Sequence, residues 1–516
     1  MASPTVRPVY ADSALNQWLT DMGLGVEYVR AEGDTLYHLA EDGTEIAVLD
    51  LVCGFGSLIF GHHHPEIVAH AKAVLDAGYP VHAQLSVQRH ADRIGAALNR
   101  IVQRETGSDD RYTVVFANTG AESIEICMKH AELERQARIS AMHDEVSAHL
   151  ALAREEVAAG RAVLADDLPF AADGIDAAVR EVERHNAGLR ALPPVFLTLE
   201  GAFHGKLVGS VQLTQNAHWR TPFAALAPAA RFLPADPELV AKSVADLREE
   251  AYDVVVRDGV ARVVPRDFPV VGAIFAEPVR GGAGMRPVTR ELAEEIGKLG
   301  AALGCPVVAD EVQSGTGRTG AFLASSHMGL RADYYTLAKS IGGGIAKNSA
   351  VLIRQDRFQP GFEIIHSSTF AKDGFSGAIA LKVLDMLEAD DGAAYREAAA
   401  LGERLTGVLT AVRDDFPEVV AGVNGIGLML ALEFHDQSGT RSEVIRQHAE
   451  GGVLGYLLAG YLLREHRIRV LPAGPAWNSV RLEPSIYLTG DDIARVDAAL
   501  RDLCGILRDH DGDRLR

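Results

Sequence analysis

The chain has 516 residues, 47% hydrophobic and 23% charged, enough apolar material for a large core and more than one domain. Its formal net charge of −20 argues against nucleic acid and anionic membranes as partners. The four cysteines, Cys53, Cys127, Cys305 and Cys504, show no C-x-x-C spacing. They read as buried thiols in a reducing cytoplasm, not as a zinc or redox motif.

MASPTVRPVYADSALNQW holds no apolar signal core, and no later run approaches the length of a membrane span. TLYHLAEDGTEIAVLDLVCG reads as antiparallel hairpin strands. The tract His62-His63-His64-Pro65 suggests a metal. Adjacent side chains do not converge, however, and no partner is spaced for a site, so no metal is expected. Six apolar runs then alternate with helical patterns: RYTVVFAN, PVFLTLE, VVGAIFAEP, CPVVADE, YYTLAK and NSAVLI. That alternation predicts an α/β fold with a largely parallel sheet. AESIEICMKHAELERQ predicts a helix after Thr119-Gly120, TRELAEEIGKLGAALG one before CPVVADE, and GAIALKVLDMLEA another after residue 376.

Residues 132–192 are rich in Ala, Glu and Arg, with loop-like DDLPFAADG in the middle. They predict a helical insertion of two or more amphipathic helices, either a surface element or a cap or interface over the site. Beyond about residue 385, GIGLMLALEF, IRVLPAG and SVRLEP read as strands and DDIARVDAALRDLCGILRDH as the last helix. The expected division is an N-terminal segment 1–60 packed with the small domain, a large domain 61–384, and a small α+β domain 385–516.

Chemistry enters at Asp310, which ends the run PVVAD, and at Lys339, which precedes Ser340-Ile341-Gly342-Gly343-Gly344. A strand-end carboxylate reaches the ligand edge of an α/β sheet. A lysine among glycines, desolvated by the apolar YYTLA run, becomes a nucleophile. Together they match what pyridoxal phosphate requires: an acid for the ring nitrogen and an amine for the carbonyl. Gly315, Gly317 and Gly320 imitate a dinucleotide fingerprint, but Glu311–Ser314 separate them from the strand and no clear long helix follows. They read as a glycine-rich loop near the cofactor. Gly120 and Ala121 open a helix after a strand, a phosphate site in waiting or a plain cap at Thr119. Phe203 could stack on a flat ring and His204 follows it, or both serve the core. Glu277 ends another apolar strand, as cofactor support or as a turn acid.

Over residues from about 35 to the end, NTGAESIE, GAFHG, AEPVRGGAG, VVADEVQSGTGRTG, AKSIGGG, HSSTF and SVRLEP resemble the class III (ornithine and ω-amino acid type) aminotransferases of the fold-type I pyridoxal phosphate enzymes. The resemblance implies a mostly parallel seven-stranded sheet flanked by helices in the large domain, with a small α+β domain from both termini. It implies that Lys339 bonds the cofactor and shuttles the proton, and that Asp310 pairs with the ring nitrogen. Gln313 would contact the ring hydroxyl and Phe203 would stack. Gly120 and Ala121 would bind phosphate, with Thr369 reaching the phosphate of a neighbouring subunit in a homodimer. Arg481 would grip the donor's carboxylate.

Some family members gate that arginine with a glutamate; here the position is Gly282, which leaves Arg481 free to swing. The lysine loop (GGGIAKNSA) and STFAKDG also depart from the family pattern, with Ala346 and Asn348 in unusual places. The insertion is similar to that of natural-product aminotransferases that aminate aldehydes, such as those of the prodigiosin and caerulomycin pathways, so a place in antibiotic biosynthesis is expected. The implied activity is transfer of an amino group from an amino acid, L-glutamate first, to an aldehyde, ω-oxo or keto acceptor. Racemisation, decarboxylation and aminomutase chemistry share the same lysine and acid. A non-catalytic binding or assembly role is the remaining alternative.

Overall fold

The six apolar runs all become strands of one sheet. The computed structural model describes residues 11–166, 173–474 and 478–516. Its central sheet holds β1 (Tyr112–Ala117), β2 (Val195–Leu199), β3 (Ala230–Leu233), β4 (Val271–Ala276), β5 (Val307–Asp310), β6 (Tyr334–Leu337) and β7 (Ser349–Arg354), in the order β1-β7-β6-β5-β4-β2-β3. β7 runs antiparallel to both neighbours, and the remaining pairs are parallel. β3 is the strand absent from the sequence reading; four residues broken by Arg231 are too short a signal.

β4 is buried at every position, because helices cover both faces of the sheet and no solvent side remains to demand alternation. Ile274 packs on one face with Leu292, Ile296 and Leu337. The next residue, Phe275, packs on the other with Ile124, Cys127 and Tyr334. Each such side chain contributes about 1.5–3 kcal/mol on burial.

Tyr28–Glu32, Thr35–Leu39 and Glu45–Asp50 form an antiparallel sheet, and Ile468–Arg469 adds to it in parallel. A second small sheet pairs Val420–Ile426, Met429–Phe434 and Ser479–Leu482, with Arg481 beside Ala431. All four cysteines are buried free thiols. No helix among the described residues is long and apolar enough to cross a membrane.

The insertion is not purely helical. Helix α1 (Gly120–Ala158) runs without a break from the sheet edge outward, and α2 (Ile175–Arg190) returns. Both pack on the hairpin Glu249–Arg257 and Val260–Phe268, which lies outside residues 132–192 and which Val163–Leu164 joins. Val146, Leu150, Val179, Val182, Val254 and Ala261 form the lobe's own core. The hairpin turns at Asp258-Gly259, both with positive φ, the backbone this dipeptide favours. The loop expected at DDLPFAADG falls mostly outside the described residues.

The turn carrying Gly315, Gly317 and Gly320 follows the cavity residues Val312 and Gln313 and is a packing seam. A Cβ on Gly317 would lie 3.1 Å from Leu387 and one on Gly320 2.9 Å from Ala399. Leu387 and Ala399 lie on either side of a non-helical break at Ala389–Gly392 in the run Gly374–Asp415, and the two glycines let both helical segments approach.

Candidate functional site

Asp310 is the last residue of β5 and pairs in register with Thr336 of β6. That register sets the Thr336 hydroxyl 3.1 Å from Asp310 Oδ1, where it donates. The Val312 N–H donates to the same oxygen at 3.1 Å. His204, in the turn after β2, donates from Nδ1 to Oδ2 at 2.7 Å, and its Nε2 lies 3.0 Å from the Thr198 hydroxyl. Burial alone would lower the His204 pKa, but the Asp310 carboxylate more than offsets this and it ends up raised. Asp310 is thus a buried carboxylate that meets one imidazole and two further donors.

Lys339 lies two residues past β6, adopts φ +52°, a left-handed backbone, and lines the cavity. The residue keeps partial exposure along the face that lines the cavity. Desolvation pulls its ammonium down to about 8; Glu483 opposes this and Arg481 adds to it. A lysine in that range holds a substantial neutral fraction near neutral pH.

Glu277 follows β4 and accepts the N–H groups of Phe203 (2.8 Å) and Gly281 (3.2 Å). Burial pushes its pKa up to about 7, while His204 pulls the other way. It therefore pins the backbone of the Phe203 turn. Phe203 itself is 40% exposed, not a core residue, and its ring meets Trp219 edge-on at 6.0 Å.

The helix that opens at Gly120 begins with a capping box, Thr119 and Glu122 bonding each other's backbone. The N–H groups of Gly120 and Ala121 keep no intrahelical acceptor. A Cβ on Gly120 would lie 2.5 Å from Val312, so glycine keeps this corner open. Asn118 donates to the Ser368 hydroxyl at 2.8 Å, joining the corner to the HSSTF segment.

Lys339, Asp310, His204, Glu277, Phe203, Gln313, Gly120 and Ala121 line one cavity of about 420 Å³. Thr369 does not line it. It is exposed on the adjoining surface, where its carbonyl accepts from Gln84 at 2.9 Å. Arg481 is not among the lining residues either. Its Nε donates to the Pro472 carbonyl at 3.0 Å, and its Nη1 lies 3.6 Å from Glu483 Oε2. Gly282 could not carry a gate on this backbone: a Cβ there would meet the Gly201 carbonyl at 2.4 Å.

Glu483 is the residue the sequence reading missed. It is fully buried and accepts from Gln313 Nε2 at 2.6 Å. Its signal was present, since residues two apart at a strand share a face, and SVRLEP sets Glu483 beside Arg481. The histidine tract diverges: His62 meets Asp50, His63 the Ala31 carbonyl, and His64 Tyr487.

These residues fit pyridoxal phosphate. The buried, hydrogen-bonded carboxyl of Asp310 suits a ring nitrogen, the free amides at Gly120 and Ala121 suit the phosphate, and Lys339 suits the carbonyl. The half-exposed Phe203 ring suits a flat ligand.

The comparisons agree. The family model for class-III aminotransferases matches residues 20–494. A putrescine aminotransferase of Pectobacterium atrosepticum is 26% identical over 467 residues, covering 88% of this chain and 78% of that protein. An amine transaminase from an uncultivated Pseudomonas species, solved in its PLP-bound form, superposes with TM-score 0.67 at 21% identity, covering 98% of this chain and 99% of that one. The ornithine aminotransferase of Toxoplasma gondii superposes with TM-score 0.64 at 20% identity, covering 94% and 91%.

Proposed function

The chain belongs to the class-III aminotransferases, enzymes that depend on pyridoxal phosphate, and on that premise we propose that it moves an amino group from L-glutamate to an aldehyde, ω-oxo or keto acceptor, working as a cytoplasmic homodimer. The observation that carries this reading is the meeting of Lys339 and the His204-backed Asp310 in one cavity.

The cofactor, when bound, supplies an electron sink for the carbon that bears the substrate nitrogen. Lys339 Nζ would hold the cofactor, and it is the amine placed to take the proton from the donor's α-carbon as general base and return it as general acid. Asp310 keeps the ring nitrogen protonated, and His204 and Thr336 keep Asp310 oriented. Gln313 would meet the ring hydroxyl and Phe203 would stack on the ring. Gly120 and Ala121 hold the phosphate. Arg481 is the cation available to a donor's carboxylate. Metal chemistry has no part in the proposal.

A second copy is supported by an exposed apolar face next to the phosphate corner. Leu85, Val87, Ile364, Ile365 and Phe370 are all more than half exposed, and Phe370 meets His82 edge-on at 4.8 Å. A partner on this face brings Thr369 toward the partner's phosphate. The four free buried thiols suit a reducing compartment. The lobe at 132–192 supports a role in a natural-product pathway such as antibiotic biosynthesis. The relative named for putrescine makes that diamine the first carboxylate-free donor to try.

The testing experiment is the visible spectrum of the holoenzyme before and after glutamate. We expect a yellow band that bleaches with glutamate and returns with an aldehyde. A band indifferent to every donor would favour racemase, decarboxylase or aminomutase chemistry.

A further inference from the structure

Two lysines line the cavity. Lys339 suits the cofactor's carbonyl, and Lys347 has no work assigned to it. Lys347 stands in the loop GGGIAKNSA, which departs from the family pattern. Its side chain is exposed and, among the described residues, meets no carboxylate and no hydrogen-bond partner. An exposed lysine is ordinarily just solvated. Its place, its mounting and the charge around it set this one apart.

β7 pairs antiparallel with β1, and their ladder ends with Ser349 opposite Ala117. Beyond that pair the two segments leave the sheet at one edge, Asn118, Thr119 and Gly120 on one side and Asn348 and Lys347 on the other. All five line the cavity. Lys347 therefore sits at the same edge as the helix whose first amides, at Gly120 and Ala121, keep no intrahelical acceptor. The loop is fixed on both sides of the lysine. Asn348 is buried and its Nδ2 donates to the Ser376 carbonyl at 3.0 Å. Gly344 adopts φ +75°, and a Cβ there would collide with the Leu58 side chain.

Charge points the same way. A phosphate monoester carries a charge of about −2 near neutral pH. The cavity walls offer the acids Asp310 and Glu277, while His204 is bonded to Asp310. With Lys339 committed to the carbonyl, Lys347 is the cation left for the phosphate. We propose that Lys347 is a ligand of the cofactor's phosphate, a cationic contact that completes the cradle of the Gly120 and Ala121 amides. The proposal rests on the transaminase reading above, with pyridoxal phosphate in this cavity. Beside a phosphate the ammonium stays charged, and a charged amine does not attack a carbonyl, so the two lysines divide the work.

The test titrates the visible band of cofactor-free, full-length protein with pyridoxal phosphate and, separately, with pyridoxal, which keeps the ring and carbonyl and lacks the phosphate. In K347A we expect the pyridoxal phosphate Kd to rise about tenfold, with the pyridoxal Kd unchanged. K347R, which keeps the charge, should restore most of the loss. Should K347A fail to accumulate, K347Q removes the charge at similar length and carries the same expectation. Unchanged pyridoxal phosphate affinity overturns the proposal, and so does equal weakening of both ligands. Weaker binding of glutarate, a dicarboxylate with no amine to transfer, to K347A holoenzyme of unchanged cofactor affinity would give the lysine to a substrate carboxylate and overturn it as well. A wild-type protein that forms no band with either ligand sinks the transaminase reading itself, whereas a wild-type band matched by K347A sinks the role of Lys347 alone.

Discussion

His204 Nδ1 lies 2.7 Å from Asp310 Oδ2, and both side chains are almost wholly shut from solvent. Neither could be buried alone at reasonable cost. An unpaired buried charge is expensive, whereas a hydrogen-bonded pair in a dry site is strong. The pair fixes a carboxylate oxygen at the wall of the cavity.

Replacing His204 with Ala removes a charge-assisted hydrogen bond worth about 1.5–3 kcal/mol. We expect the cofactor to bind roughly ten- to a hundredfold more weakly in H204A, read by titrating the visible band. Affinity equal to the wild type would show that Thr336 and Val312 suffice to hold Asp310.

The lowered pKa of Lys339, about 8, has a kinetic consequence. Only the neutral amine attacks a carbonyl. The rate at which cofactor-free protein captures pyridoxal phosphate should therefore rise about tenfold per pH unit below 8 and level off above it. A rate still climbing past pH 10 would mean that the ammonium is solvated like an ordinary lysine.

The lobe built on α1, α2 and the 249–268 hairpin has its own core, with Leu150 at 3% exposure in the middle. L150A should cost about 2–5 kcal/mol of lobe stability. We expect faster proteolysis between residues 132 and 192 with the cofactor band unchanged. Loss of the band together with the lobe would make the lobe part of the site.

Much of this was legible in the chain. Six of the seven central strands stood out because strands buried on both faces carry unbroken apolar runs, as β4 does. β3 did not, because Arg231 interrupts its four residues. Asp310 was legible from its place at a strand end, and Lys339 from the apolar run before it and the glycine run after it. The His204–Asp310 bond was not, since it joins residues 106 apart and exists only when β2 and β5 both flank β4. The hairpin at 249–268 carries its sequence signal in the turn dipeptide Asp258-Gly259. Glu483 hid in plain view at two residues from Arg481. Its importance depends on burial, which no linear pattern discloses.

The central claim is that Lys339 carries the cofactor. The most direct measurement is reduction of the holoenzyme with borohydride, followed by mass analysis of its peptides. A second lysine, Lys347, lines the same cavity and is exposed, so the result discriminates. We expect the cofactor mass on the peptide containing Lys339, at Lys339 alone, and none in K339A. Mass on Lys347, or on no lysine of a fully yellow protein, would contradict it.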